Sequence, residues 1–119
     1  DPFTGQPPGV EVGAAYRNRQ DLRDAGLHRP LQAGIDGNSE GGYSIILSGG
    51  YVDDVDEGDR IIYTGQGGND PQTKRQVADQ TWKRGNLGLR VSFERGTPVR
   101  VIRGHKADGP LAPQSGYRY

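Results

Sequence analysis

The sequence contains no cysteine, which excludes disulfides, thiolate zinc sites and cysteine nucleophiles and suits a reducing compartment. Histidine is almost as scarce. His28 and His105 are the only two, they lie far apart, and nothing beside either has a metal-ligand spacing, so no metal is expected. No apolar stretch approaches the roughly 20 residues that cross a bilayer, and the opening DPFTGQPPG lacks the charged start and apolar segment of a secretion signal. A soluble protein with no membrane partner is the expectation. Neither sign of charge is in excess, with 15 Lys and Arg against 15 Asp and Glu. That balance argues against holding nucleic acid by bulk electrostatics, so any such binding must use local basic patches. Lys74 with Arg75, Lys83 with Arg84, and the run Arg95, Arg100, Arg103 and Lys106 are the candidates.

What is present fits one small folded domain. The chain has 119 residues, and Leu, Ile, Val and Phe make up about a fifth of it, in short runs that recur throughout. Twenty glycines and eight prolines favour many turns and short elements, and therefore a β-rich domain. Residues 1–15 read as a Gly/Pro-rich lead-in, flexible over 1–9 and tied down by Val10 and Val12. A short helix follows, capped by Asn18, with Asp21 in its first turn and Gly26 as its stop. YSIILS from Tyr43 to Ser48 places Tyr43, Ile45 and Leu47 on one face and Ser44, Ile46 and Ser48 on the other, which is a strand pattern. RIIYT from Arg60 to Thr64 reads as a second strand. Thr73 and Gln76 fit a capping box before a helix running to about Arg84, stopped by Gly85, with Val77 and Trp82 on its buried side. LRVSF, with Leu89, Val91 and Phe93 alternating, and PVRVIR, with Val99 and Val101 alternating, predict two more strands. From Gly104 to Tyr119 no element is evident.

The most unusual stretch is YSIILSGGYVDDVDEGDRIIYTGQGG. In it Tyr51 and Tyr63 each sit where a strand meets a glycine-rich turn, and Asp53, Asp54, Asp56, Glu57 and Asp59 lie between them. Glycine lets a planar ligand approach the backbone closely, and clustered carboxylates suit either a cation or a ligand with amine donors. An EF-hand loop starting at Asp54 would need glycine at its sixth position and glutamate at its twelfth, and finds Asp59 and Gly65 instead. GQGG lacks the Lys-Ser/Thr of a P-loop and the spacing of a dinucleotide fingerprint, so no nucleotide cofactor is expected. No serine, histidine and acid fall at a recognisable catalytic spacing, and no catalytic residue is assigned.

HRPLQAGIDG from His28 to Gly37, then YSIILSGGYVDDVDEGD, IIYTGQGG, KRQVADQ, GNLGL and PVRVIRG, follow one another as in a known family. Over most of residues 9–119 the chain resembles the SRA (SET- and RING-associated, YDG) domains of eukaryotic methylation readers and bacterial modification-dependent restriction endonucleases. PGVEVG and AGLHRPLQAGIDG look more like the bacterial branch, in which the domain commonly precedes an HNH nuclease. The resemblance implies an α+β fold, a PUA-like twisted β-barrel flanked by short helices. It also implies a non-enzymatic module that binds double-stranded DNA by extruding a modified cytosine, 5-methyl or 5-hydroxymethyl, into a pocket. Such a module would work in a bacterial cytoplasm, or in a nucleus if eukaryotic. The family's YDG signature should follow GYRY, so residues 1–119 are expected to form a single domain lacking its C-terminal strands, whose independent folding is in doubt.

The resemblance also assigns roles. Tyr51 and Tyr63 resemble the two aromatic walls around the flipped base, and Asp54 the carboxylate that accepts from the cytosine amine. The backbone around Thr64 and around Ser48, Gly49 and Gly50 would complete recognition of the base edge. Gln32 resembles the residue that fills the gap left in the duplex, and Lys74 and Arg75 a second DNA-contacting loop. The other four acidic residues read as solvated or turn-forming. Two competing readings remain: a PUA-like RNA-binding or protein-interaction module without base flipping, and a metal-dependent hydrolase built on the acidic cluster.

Overall fold

The computed structural model describes residues 4–49, 54–65, 84–107 and 109–119. In chain order the elements are β1 (Ala15–Tyr16), α1 (Arg19–Asp24), β2 (Ile35–Asn38), β3 (Gly41–Leu47), β4 (Val55–Asp56), β5 (Ile61–Ile62), α2 (Arg84–Arg95), β6 (Arg100–Gly104) and β7 (Tyr117–Arg118). Five strands form one mixed sheet in the order β1-β7-β6-β3-β2, in which β3 and β6 are parallel and the other neighbours antiparallel. β4 and β5 form a separate antiparallel pair. The α+β class expected from the sequence is the class observed.

Every residue of β3 is buried, because its two faces serve two cores. Ile46 packs with Leu22, Leu27 and Ile102 on one side, while Ile45 and Leu47 pack with Ile35 on the other, where Tyr63, Leu89, Val99 and Val101 close around them. Each fully buried aliphatic side chain contributes roughly 1.5–3 kcal/mol, and strands in parallel pairing are commonly covered on both faces in this way. The face assignment read from YSIILS is therefore correct. α1 also forms as its sequence predicts: the Asn18 side chain accepts from the Asp21 N–H at 2.9 Å, and Gly26 turns the chain with φ of 78°.

Two expectations fail around α2. LRVSF is helical rather than extended, and Gly85 lies inside the helix rather than ending one. Phe93, expected on a buried strand face, is 87% exposed. The fully buried residues of α2 are Gly85, Asn86, Gly88 and Ser92, with Leu89 packed on the second core beside them, so apolar periodicity finds Leu89 but misses the rest of the packing face and wrongly adds Phe93. A glycine face lets the helix approach the strand backbone closely. A Cβ on Gly88 would stand 2.6 Å from the Gly41 carbonyl oxygen and 2.9 Å from the Asn38 nitrogen, and one on Gly42 would meet the Leu89 side chain at 2.8 Å. Ser92 Oγ completes the contact by accepting from the Gly42 N–H at 2.8 Å and donating to the Gly42 carbonyl at 3.0 Å. The helix expected over 73–84 falls outside the described residues except for Arg84, where α2 begins.

The second strand is shorter than RIIYT suggests, keeping only Ile61 and Ile62, which pair with the acidic segment at Asp56 and Val55. β1 and β7, absent from the sequence reading, are two-residue strands in Gly/Pro-rich chain. The Gly13 N–H donates to Tyr119 at 2.6 Å and the Tyr119 N–H to Ala14 at 3.0 Å, so β7 lies inside the sheet between β1 and β6. Val10 packs on the first core as expected, but Val12 is 70% exposed and ties nothing down.

Replacing Gly88 with alanine separates helix propensity from packing. Propensity alone favours alanine by about 1 kcal/mol, whereas the clash is with backbone atoms that cannot rotate away. Urea unfolding of Gly88→Ala is expected to show a net loss of roughly 1–3 kcal/mol. An unchanged or raised midpoint would mean that α2 does not sit this close to β2 and β3.

Candidate nucleic-acid interface

At the C-terminal end of β3 the chain leaves the core at Leu47, and a recess opens there, lined by Leu47, Gly49, Asp54, Val55, Asp56 and Ala107. Three local constraints shape its walls. Gly49 has φ of 77°, and a Cβ there would collide with the Lys106 carbonyl, so glycine is needed for backbone packing as much as for access. Asp54 Oδ1 accepts from the Thr64 N–H at 2.7 Å, spanning the open end of the β4–β5 hairpin. Asp56 accepts from Arg103 Nε at 2.5 Å and Nη2 at 2.9 Å and also from the Gly58 N–H at 3.0 Å. That bidentate pair ties the hairpin to β6, and it holds the Asp56 carboxyl below the usual carboxylate range. Asp56, read from sequence as a solvated or turn-forming charge, does form a turn through the Gly58 N–H, but it is also an ion-pair partner whose side chain is only 10% exposed.

Of the residues singled out for a base pocket, the structure brings Gly49, Asp54 and Thr64 together. Tyr63 is half-buried beside them, packed on Ile35, Ile45 and Leu47. Ser48 is exposed at the end of β3. Gly50, Tyr51, Lys74 and Arg75 lie outside the described residues.

Gln32 sits on the loop 29–34, which joins α1 to β2. Leu31, Gln32 and Ala33 are exposed, yet the backbone beneath them is held at several points. Arg29 forks onto Asp36, with Nη2–Oδ1 at 2.6 Å and Nε–Oδ2 at 2.9 Å, and its backbone N–H donates to the same carboxylate. Burial pushes the Asp36 carboxyl up, but the Arg29 hydrogen bonds and charge outweigh it and leave it below its ordinary value. Arg19 Nη2 donates to the Pro30 and Ala33 carbonyls at 3.0 and 2.5 Å. The Gly34 carbonyl accepts from the Ile46 N–H at 2.8 Å and from the Tyr63 hydroxyl at 3.2 Å.

His28 is the remaining support. It is fully buried, with Nε2 2.8 Å from the Ala33 carbonyl and Nδ1 2.6 Å from Ser44 Oγ. A carbonyl can only accept, so Nε2 carries the proton and donates, and neutral Nδ1 accepts from the Ser44 hydroxyl. Burial pushes the imidazole pKa down to about 4 from 6.5. Sequence reading assigned His28 no role beyond excluding metal. Its signal, a lone histidine 16 residues before a serine flanked by tyrosine and isoleucine in a strand, does not identify the pair without the fold.

Arg100 and Arg103, two of the four side chains in the basic run 95–106, are engaged within the fold. Arg100 is 4% exposed and donates Nε to the Leu27 carbonyl and Nη1 to Gly5, both at 2.9 Å, and Arg103 is committed to Asp56. Arg100 shares the buried face of β6 with Ile102. Arg95 and Lys106 remain exposed. Among the described residues no group of three or more His, Asp or Glu could hold a metal ion, and no helix is long and apolar enough to cross a membrane.

Comparison with known proteins gives a consistent picture. The family described as the SAD/SRA domain matches residues 3–119. The histone-lysine N-methyltransferase, H3 lysine-9 specific SUVH6 of Arabidopsis thaliana is 44% identical over 97% of this chain, which spans only 16% of that protein. A modification-dependent TagI restriction endonuclease superposes with a TM-score of 0.94 at 51% identity, over 100% of this chain and 42% of that one. The SUVH5 SRA bound to fully hydroxymethylated CG DNA superposes with a TM-score of 0.80 at 41% identity, covering 98% of this chain and 75% of that one. The same domain with hemi-methylated CG DNA gives 0.79 at 40%, with 98% and 74% covered. These superpositions fit the PUA-like twisted barrel expected from the sequence.

The His28 geometry makes stability depend on pH with a definite sign. The folded pKa lies below the unfolded one, so the unfolded chain binds the extra proton and stability falls as pH drops from about 6.5 to 4. The loss from this group is about 3 kcal/mol by pH 4. Asp36 and Asp56, whose carboxyls lie below 3.8, lose their contribution only at still lower pH. Urea unfolding at pH 7, 5.5 and 4 is expected to show this slope in the natural sequence and a flattened one in His28→Gln, which keeps a donor and an acceptor but does not titrate. An equal slope in both would assign the acid sensitivity elsewhere.

Proposed function

Because the chain belongs to the SAD/SRA domain family, we propose that it binds double-stranded DNA at a 5-modified cytosine turned out of the helix into the recess beside Asp54 and Tyr63. The observation that carries this reading is the superposition on SRA domains bound to hydroxymethylated and hemi-methylated DNA over 98% of the chain. The local geometry supports it. Asp54 presents a carboxylate at the recess, and a carboxylate accepts from the exocyclic amine of cytosine but repels the carbonyl that thymine has in its place. Stacking on Tyr63, with Tyr51 as the second wall, contributes roughly 1–3 kcal/mol per aromatic contact, enough to offset the few kcal/mol of extrusion. Gln32, on a loop held by Arg19, His28 and Asp36, reaches toward the vacated position in the duplex. Thr64, Ser48, Gly49 and Gly50 contribute backbone groups to the base edge, and Lys74 and Arg75 contact phosphates from a second loop.

In this reading the 119 residues bind and do not cleave. The 51% identity to a modification-dependent restriction endonuclease, of which the chain covers 42%, supports a role as the targeting part of such an enzyme in a bacterial cytoplasm, with the linked nuclease, of HNH type, outside this stretch.

Fluorescence titration of matched duplexes carrying cytosine, 5-methylcytosine or 5-hydroxymethylcytosine tests the reading. Burying one methyl is worth about 0.8 kcal/mol, so a preference of several-fold for a modified duplex is expected. Asp54→Asn keeps an oxygen for the Thr64 N–H but can turn an amide donor toward the cytosine amine. It is expected to weaken binding to the modified duplex by about 1.5–3 kcal/mol while leaving background binding unchanged. Equal affinity of the natural sequence for all three duplexes would sink the modified-base reading, and a preference for RNA would favour a PUA-like RNA-binding module.

A further inference from the structure

The loop that carries Gln32 and Tyr63, the aromatic side chain beside the recess, are separate in sequence but joined by a hydrogen bond. The Gly34 carbonyl accepts the Tyr63 hydroxyl at 3.2 Å. The approach is tight, since a Cβ on Gly34 would stand 2.9 Å from the same hydroxyl oxygen. Both partners are fixed from behind. Gly34 is anchored to β3 through the Ile46 N–H at 2.8 Å, and its neighbour Ala33 is held by Arg19 and His28. Tyr63 is followed by Thr64, whose N–H is taken by Asp54, and its ring packs on the second core. Few of these groups can move alone: displacing the Tyr63 ring shifts its hydroxyl against Gly34, two residues from Gln32.

We propose that Tyr63 and Gly34 are a positioning pair that couples the base recess to loop 29–34, so that seating a base against Tyr63 and placing Gln32 in the duplex are one cooperative event. The proposal rests on the reading of Tyr63 as a wall of the base pocket and Gln32 as the gap-filling residue. Neither the ring's stacking surface nor the Gln32 amide is altered by removing the Tyr63 hydroxyl, so the coupling can be broken while both contacts are kept. The fold should tolerate the change, because the Gly34 carbonyl retains its bond from Ile46.

A double-mutant cycle on the modified duplex reads the coupling directly. Tyr63→Phe and Gln32→Ala are each expected to weaken binding by roughly five-fold, one net hydrogen bond's worth. If one event links them, the combined variant stays within about two-fold of the weaker single variant. Thermal unfolding of each variant, expected within a few degrees of the natural sequence, excludes a general loss of structure as the cause. Losses that multiply to about 25-fold, or a Tyr63→Phe protein that binds like the natural sequence, overturn the coupling while leaving the pocket in place. If the natural sequence binds modified and unmodified duplexes alike, the pocket reading falls and the coupling with it.

Discussion

The constraint on which the structure depends is that β3 is buried on both faces along its whole length. A strand in that position cannot leave a polar group unmatched, because a buried hydroxyl or amide without a partner costs on the order of 1–3 kcal/mol. Ser44, at its centre, is fully buried and answered by His28, and Gly42, beyond the start of the β6 pairing at Ser44, by Ser92. Both answers come from outside the sheet and bring their own segments with them. His28 brings the chain after α1, and Ser92 brings α2. Covering one strand therefore fixes the two helical segments, and the glycines of α2 and β3 set how closely the second one can sit.

The same strand organises the candidate interface. Its C-terminal end delivers Leu47 and Gly49 to the recess, and the Ile46 N–H anchors Gly34 at the root of the Gln32 loop. The acidic segment contributes structure as well as candidate chemistry. Asp54 bridges to Thr64, and Asp56 fastens the hairpin to Arg103, so two carboxylates two residues apart set the far wall of the recess. A deprotonated Asp56 in a bidentate pair is a fixed part of that wall, which leaves Asp54 as the recess-lining acid with an oxygen beyond its backbone bond for a ligand.

How much of this could be read beforehand varied with the kind of signal. α1 was legible because capping is local: Asn18 and Gly26 act on their immediate neighbours. β3 was legible because β-branched residues on both faces admit few alternatives. α2 was not, since Leu89, Val91 and Phe93 alternate over five residues while the face that packs joins Leu89 to Gly85, Gly88 and Ser92, most of it without apolar weight. β1 and β7 are two residues each and exist only through each other and β6, which no local pattern encodes. Asp54 was singled out through the family resemblance alone, and its bond to Thr64 has no sequence signature. Arg100 and Arg103 were named as members of a candidate basic patch, because nothing local to them shows that their charges are engaged within the fold. Their partners, the Leu27 and Gly5 carbonyls and Asp56, lie 47 to 95 residues away.

A methyl group offers about 0.8 kcal/mol when buried, and a pocket collects that energy only if its walls hold still. A wall that relaxes outward by a fraction of an ångström gives up contact energy to whichever base is present and erases the difference between them. The recess here is bounded by Gly49 seated against the Lys106 carbonyl, Asp54 pinned to Thr64, and Asp56 clamped by Arg103. Its aromatic neighbour Tyr63 is braced on Gly34, which β3 holds in turn. Each brace ends on backbone or on a charge pair rather than on a flexible side chain. In the proposed function, discrimination of so small a group rests on these braces, and they trace back to the doubly buried strand behind them.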